Sequence, residues 1–357
     1  MSSQTDIFLQ KLLTGAATRG VTDMHVSVGQ PPAMRVDGVL HPLEEEGVVT
    51  PEVMEGLVML LLDEPSKQDF LLHKRTTVSR MVGSRMRFKA HVIYQQGYPS
   101  ISFHFVSPTV RPLKDLGLPK VIEDLTAVRR GLILVVGPYG AGRTTLIMSF
   151  IDAINHSRSE HIVVLEDPIE YVINGDKSLI DQQEVGRDTP SLKEGLIGLR
   201  EEDVNIVAVS DLPDSQTFKA MVDLAEGGRL CVAPLEADTV AQALERLVEP
   251  FAAHERERMM HSLADNLVAV IGLRLVPRVG GGRLSVAEVL MVTSPVKVLI
   301  REGRFAQINS WLLSTREGGT VGLDRSLAEL VKTGEVLLED ALAYAVDREN
   351  FQRLVRS

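Results

Sequence analysis

The chain carries one cysteine, Cys231, among its 357 residues. A single thiol excludes an intramolecular disulfide and any metal centre built from several cysteines, and it suits a reducing compartment. Aromatic residues are scarce at 4%, with one tryptophan, so the cores must be built mainly from Leu, Val and Ile. Basic residues are in deficit, 38 Lys and Arg against 48 Asp and Glu, for a net charge of -10. That balance argues against nucleic acid as the main ligand, although an average leaves room for a local basic groove. Long apolar runs are missing as well. The nearest approach to the roughly 18 apolar residues of a membrane span is 263–277, which is interrupted by Asp265, Asn266 and Arg274. The start, Met1 to Asp6, has no basic stretch leading into an apolar core, so no signal peptide is expected.

What is present is 44% hydrophobic and 24% charged, the composition of a soluble globular chain. At about 150 residues per domain, the length predicts two or three domains. Residues 1–106 read as a small α+β unit. Ile7, Leu9, Leu12 and Leu13 recur at helical spacing, and Met24, Val26 and Val28 alternate with His25 and Ser27 as in a strand. Asp37-Gly38 sits between two short β-prone runs and predicts a hairpin. An apolar helix is expected over 53–62, ending near Asp63-Glu64-Pro65. Two further strands, 85–94 and 100–106, flank a turn at Gly97.

Residues 107–119 contain three prolines and read as a linker. From Gly131 the pattern changes to apolar strands (132–136, 162–165, 206–209, 230–233) alternating with helical stretches (147–155, 192–199, 217–224). Strands that are apolar throughout predict a sheet covered by helices on both faces, an α/β core over 120–357. Beyond about residue 240 the chain reads as mostly helical, through 240–247, 254–270 and 295–301, with a glycine turn at 280–282 between two short strands.

Residues 137–144 read Gly-Pro-Tyr-Gly-Ala-Gly-Arg-Thr. This fits the phosphate-loop pattern G-x-x-x-x-G-K-[ST] except that Arg143 stands where lysine is expected. An apolar strand enters and a helix leaves, the context the motif needs. Glycines let backbone N–H groups converge on a phosphate, the helix start adds partial positive charge, and Thr144 is placed for magnesium. Arginine keeps the charge of lysine but is longer, planar and bulkier.

Other motifs point further. Leu165-Glu166-Asp167-Pro168-Ile169-Glu170-Tyr171, Gln183-Glu184-Val185-Gly186-Arg187-Asp188-Thr189, the run from Leu199 to Val207, and Val298-Leu299-Ile300-Arg301-Glu302 are spread over the chain. With the phosphate loop, and with Asp23 to Ser27 and Met34 to Gly38 near the start, they resemble the PilT/PilU-type pilus retraction ATPases of the type II/type IV secretion ATPase superfamily. The resemblance runs through nearly the whole chain. It implies a PAS-like N-terminal domain (1–106), a linker (107–119), and a RecA-like P-loop ATPase core (120–357) with a helical C-terminal part from about 240. It also implies a cytoplasmic ring, peripheral to the inner membrane through a pilus platform protein, with no nucleic-acid partner.

By the same resemblance, Gly137, Pro138, Gly140, Ala141, Gly142, Arg143, Thr144 and Thr145 hold ATP or ADP, Thr144 ligates its magnesium, and Glu166, Asp211, Arg85 and Arg87 are the catalytic candidates. Four motifs depart from the family. Arg143 replaces the loop lysine. Ser210-Asp211 replaces Gly-Glu, leaving a carboxylate one methylene shorter. Arg229 and Glu236 replace two histidines, and His104 aligns with a strand arginine. The expected protein is a degenerate paralogue that binds nucleotide weakly or hydrolyses it very slowly, working as an accessory or regulatory subunit of a homo-hexamer or of a mixed assembly with an active retraction ATPase. Two alternatives stay open: an active motor with compensated motifs, and a nucleotide-free interaction module. Blander roles stay open too. Asp211 could cap the helix that follows, Arg85 and Arg87 could line a solvated strand face, and Arg229 with Glu236 could form an ion pair.

Overall fold

The computed structural model describes residues 2–19, 21–82, 86–106, 109–315 and 317–356. The chain forms two compact units, Met1–Thr109 with Pro168–Val172, and Val110–Asp167 with Ile173–Ser357.

The first unit is built on a six-stranded antiparallel sheet. Its strands are β1 (Val21–Ser27), β2 (Ala33–Val36), β3 (Val39–Pro42), β4 (Arg75–Val82), β5 (Met86–Gln95) and β6 (Tyr98–Val106), in the order β3-β2-β1-β6-β5-β4. Asp37 (φ 49°) and Gly38 (φ 87°) both take positive φ, as a two-residue hairpin loop matched to strand twist requires. Gln96 and Gly97 repeat the arrangement between β5 and β6. One face buries Met24, Val26, Phe88, Ala90, Val92, Ile101 and Phe103 under three helices. Helix Ser2–Thr18 contributes Leu9, Leu12, Leu13 and Ala16, whereas Ile7 is exposed, lying off that stripe. Helix Pro51–Leu61 starts at Thr50, whose hydroxyl accepts from the Val53 N–H, and buries Met54, Leu57, Val58 and Leu61. Asp63 marks more than the stop expected there. Its carboxylate accepts from the Ser66 N–H and caps a further helix, Glu64–His73.

The opposite face of this sheet is polar. His104 donates to Asp23, its cross-strand partner, at 2.9 Å. That bond holds the His104 pKa above its ordinary value despite burial.

The second unit is a seven-stranded sheet of β7 (Gly131–Val136), β8 (His161–Glu166), β9 (Leu179–Glu184), β10 (Ile206–Val209), β11 (Leu230–Leu235), β12 (Leu267–Pro277) and β13 (Arg283–Met291). The order is β13-β12-β7-β11-β10-β8-β9, parallel throughout except for β13 against β12. Every side chain of β7 and β10 is buried, as the continuous apolar runs require. Two strands differ from expectation. The reading of 254–270 as helix fails at Asn266, where helix Ala253–Asn266 gives way to the eleven-residue strand β12. β12 and β13 are therefore long, and the region beyond 240 is not mostly helical until Ser294–Arg301 begins. β9, sequence LIDQQE, is an edge strand with no buried side chain, so it carries no apolar signal.

Cys231 lies fully buried in β11, with its pKa pushed up to about 12 by burial. The native protein is therefore expected to resist a thiol reagent at pH 8 that labels it within minutes after urea unfolding. Rapid native labelling would mean that β11 opens locally.

Candidate functional site

In the second unit, β7, β8, β10 and β11 all run the same way, so the segments after them meet at one edge. Crevices outside the carboxyl ends of parallel strands are where such sheets bind ligands. After β7 comes Gly137, whose N–H donates to the Leu235 carbonyl at 3.2 Å. A Cβ at Gly137 would lie 2.8 Å from both the Ala141 Cβ and the Leu273 carbonyl oxygen, so only glycine fits. Pro138 accepts from the Ala141 N–H, closing a turn. Gly140 (φ 74°) and Gly142 (φ 92°) take the left-handed conformation, and a Cβ on either would meet open space. Helix Arg143–Ser157 starts there without a side-chain cap, and Thr144 and Thr145 stand half-exposed in its first turn. An open glycine loop on an uncapped helix start, with a hydroxyl beside it, fits a phosphate and its magnesium.

Arg143 is already engaged. Its guanidinium donates to the Gly137 carbonyl at 2.6 Å and reaches Glu236, just past β11, at 3.4 Å. The ion pair left open between Arg229 and Glu236 is not formed; Glu236 faces Arg143 instead. Those residues stand at opposite ends of the six-residue strand β11. Arg229 instead donates to the carbonyls of Leu199, Arg200 and Glu202.

Glu166 ends β8 with its side chain fully buried, one carboxylate oxygen accepting from Gln182 Nε2 at 2.8 Å. Gln182, on the edge strand β9, carried no sequence signal. The Asp167 N–H donates to Ser210 Oγ at 3.1 Å, tying the ends of β8 and β10. Asp211 is exposed and accepts from the Leu212 N–H. It is not a helix cap, for Asp214 does that work, accepting from the Thr217 N–H at 2.7 Å at the head of helix Ser215–Glu226. Arg87 lies in the first unit, on β5, donating from Nε to Ser79 Oγ at 2.7 Å. Arg85 lies outside the described residues.

The sequence pattern of the type II/IV secretion system protein family matches residues 118–342. The chain belongs to that family. Among the relatives of this secretion-family chain, the type IV pilus retraction ATPase PilT of Pseudomonas aeruginosa is 32% identical over 351 residues, covering 96% of this chain and 99% of PilT. The type IV pilus ATPase PilU of the same organism is 30% identical over 347 residues, covering 97% and 90%. A crystal structure of the pilus retraction motor PilT with bound ADP superposes with a TM-score of 0.82 at 32% identity, covering 96% of this chain and 98% of that one. The α/β fold is therefore that of the PilT-like secretion ATPases. Among the described residues no helix is long and apolar enough to cross a membrane, and no cluster of three or more His, Cys, Asp or Glu side chains could hold a metal ion.

Proposed function

We propose that this chain is a PilT-like subunit of a type IV pilus retraction machine that binds nucleotide weakly and hydrolyses it very slowly, acting as an accessory or regulatory ring subunit. The observation that carries the reading is the Arg143 side chain, turned back onto the Gly137 carbonyl and facing Glu236. A lysine ammonium is a slim point charge that reaches β- and γ-phosphates. The guanidinium must leave two acceptors before it can do the same. Phosphoryl transfer relies on positioning and charge stabilisation, and a displacement of about 1 Å costs on the order of 100-fold.

In this reading the loop from Gly137 to Thr145 holds Mg-ATP or Mg-ADP, with the Thr144 hydroxyl toward magnesium. Asp211, exposed just past β10, is assigned the activation of the attacking water, a task its short carboxylate does poorly. Glu166, held by Gln182, is the second carboxylate assigned to the site. Arg85 and Arg87 are the candidates that the family resemblance offers for supplying positive charge to a nucleotide. The assembly is a cytoplasmic ring, either six copies or a mixed ring with an active retraction ATPase, held at the inner membrane by the pilus platform protein.

The test is calorimetry with Mg-ATP, paired with a hydrolysis assay on the same sample at ring-forming concentration. Binding is expected with turnover about 100-fold or more below that of PilT assayed alongside. Turnover equal to PilT would make the chain a working motor. Absence of binding, with no shift in melting temperature at millimolar Mg-ATP, would make it an interaction module, since ligand at 100 times its Kd stabilises by about 2.7 kcal/mol.

A further inference from the structure

Behind the phosphate loop, the β12–β13 hairpin carries a buried carboxyl, Glu288, with the half-buried Arg274 near it. Glu288 on β13 faces Gly272 on β12 in register, and the glycine makes room for it: a Cβ at 272 would come within 2.6 Å of the Glu288 side chain. Glu288 is 9% exposed, and the Val240 backbone and Arg274 draw its carboxyl toward the charged form against burial. Two residues along β12, Arg274 projects on the same side as Gly272. Its guanidinium donates to the carbonyl of Leu273 at 2.8 Å and to that of Asp238. Arg274 therefore holds one short segment at the carbonyl of residue 238, and the buried Glu288 carboxyl lies toward the same segment at residue 240. Between these points Thr239 caps helix Val240–Val248, its hydroxyl accepting from the Gln242 N–H.

That segment starts at Glu236, the residue facing Arg143. The Leu273 carbonyl that Arg274 also holds is the one that leaves no room for a Cβ at Gly137. Arg274, with Glu288 packed beside Gly272 two residues away, thus touches both sides of the loop, the strand packed behind it and the segment carrying its acidic partner. We infer that Glu288 and Arg274 are positioning residues, which fix the 236–240 segment against the phosphate loop and through it set how tightly nucleotide is held. The part about nucleotide rests on the site proposed above; the part about the segment does not.

The charged groups facing Glu288 are Arg274 from β12 and Asp324 from helix Leu323–Lys332. Asp324 is itself occupied, accepting from the backbone N–H groups of Val346 and Asp347. It therefore does not compete for the segment.

The experiment compares wild type with Glu288→Gln, which keeps the shape, and with Arg274→Gln. Hydrogen exchange read by mass spectrometry is followed in peptides covering 236–247 and 137–146, without nucleotide, beside the melting temperature. Affinity for a fluorescent Mg-ADP analogue is measured on the same samples. In both variants exchange in the two peptides is expected to rise at least tenfold while the first unit stays unchanged, and affinity is expected to fall by a similar factor. Wild-type exchange in both peptides of both variants would overturn the inference. A general rise across the whole chain would overturn it too, since it would mark a merely structural pair. If wild type binds no nucleotide, the reading of the site falls, and the exchange data still decide the role of the pair. Should Arg274→Gln fail to fold, Arg274→Lys replaces it, expected to retain part of the protection.

Discussion

Arg143→Lys combined with Asp211→Glu is expected to raise ATP turnover by about 100-fold or more over the unaltered chain. Lysine in the loop has no planar fork to lay against the Gly137 carbonyl, so its charge is free for phosphate, and the longer carboxylate at 211 recovers the missing methylene. The two changes act on one reaction, and groups that work as a unit give strongly non-additive effects. Arg143→Lys alone is therefore expected to tighten Mg-ATP binding about tenfold with little turnover, and Asp211→Glu alone to change neither. Steady-state phosphate release from the four proteins, paired with calorimetry, decides it. A motor tuned around Arg143 would behave in the opposite way and lose activity on the lysine change. A double variant that binds nucleotide well yet stays silent would locate the defect elsewhere, with the departures at Arg229, Glu236 and His104 next in line.

Glu288 makes the second prediction, on stability. Burial pushes its carboxyl from the ordinary 4.5 up to about 7, against the pull of the facing Arg274. The folded chain therefore binds this proton more tightly than the unfolded chain does. Between the two pKa values the native state carries more protons, so stability falls as the pH rises through that window and levels off above about 7. At about 1.4 kcal/mol per unit the fall is about 3 kcal/mol. Glu288→Gln removes this component, and the variant is expected to be about 3 kcal/mol more stable relative to wild type at pH 8 than at pH 4.5. Asp324, also raised chiefly by burial, contributes with the same sign in both proteins and cancels in the difference. Urea unfolding at a series of pH values measures it. Parallel stability curves for the two proteins would show that Glu288 stays ionised in the fold.

The phosphate loop could be read from the sequence because its chemistry is local: glycines, a hydroxyl and two flanking elements within a few residues of one another. The same holds for the turns at Asp37-Gly38 and at Gly97, where positive φ selects the residue type. Reading fails where the deciding partner is remote. Glu236 meets Arg143 across 93 residues, and nothing near either residue announces the pairing. Arg229 looked like the nearer partner, yet a six-residue strand separates the two and β-strands rise about 3.3 Å per residue. β12 was misread because a continuous apolar run has no period, and only β-branched residues and Gly272 separate strand from buried helix there. β9 shows the converse, an edge strand held by its ladder to β8 with almost no apolar residues of its own. Gln182, which holds Glu166, lies on that strand and was lost with it.

The division of the chain has a consequence for how it is made. The first unit ends at Thr109 in one stretch but takes back Pro168–Val172, so the chain changes unit after 109, after 167 and after 172. On a ribosome the sheet and helices of the first unit are all made by the time Val106 is added, and only the short stretch Pro168–Val172 joins it later. By then β7, helix Arg143–Ser157 and β8 are already outside as well. Domains that are continuous in sequence finish folding one after another during synthesis. Here the returning stretch Pro168–Val172 is made only after β7, helix Arg143–Ser157 and β8 of the second unit, so the two units are not finished strictly one after the other.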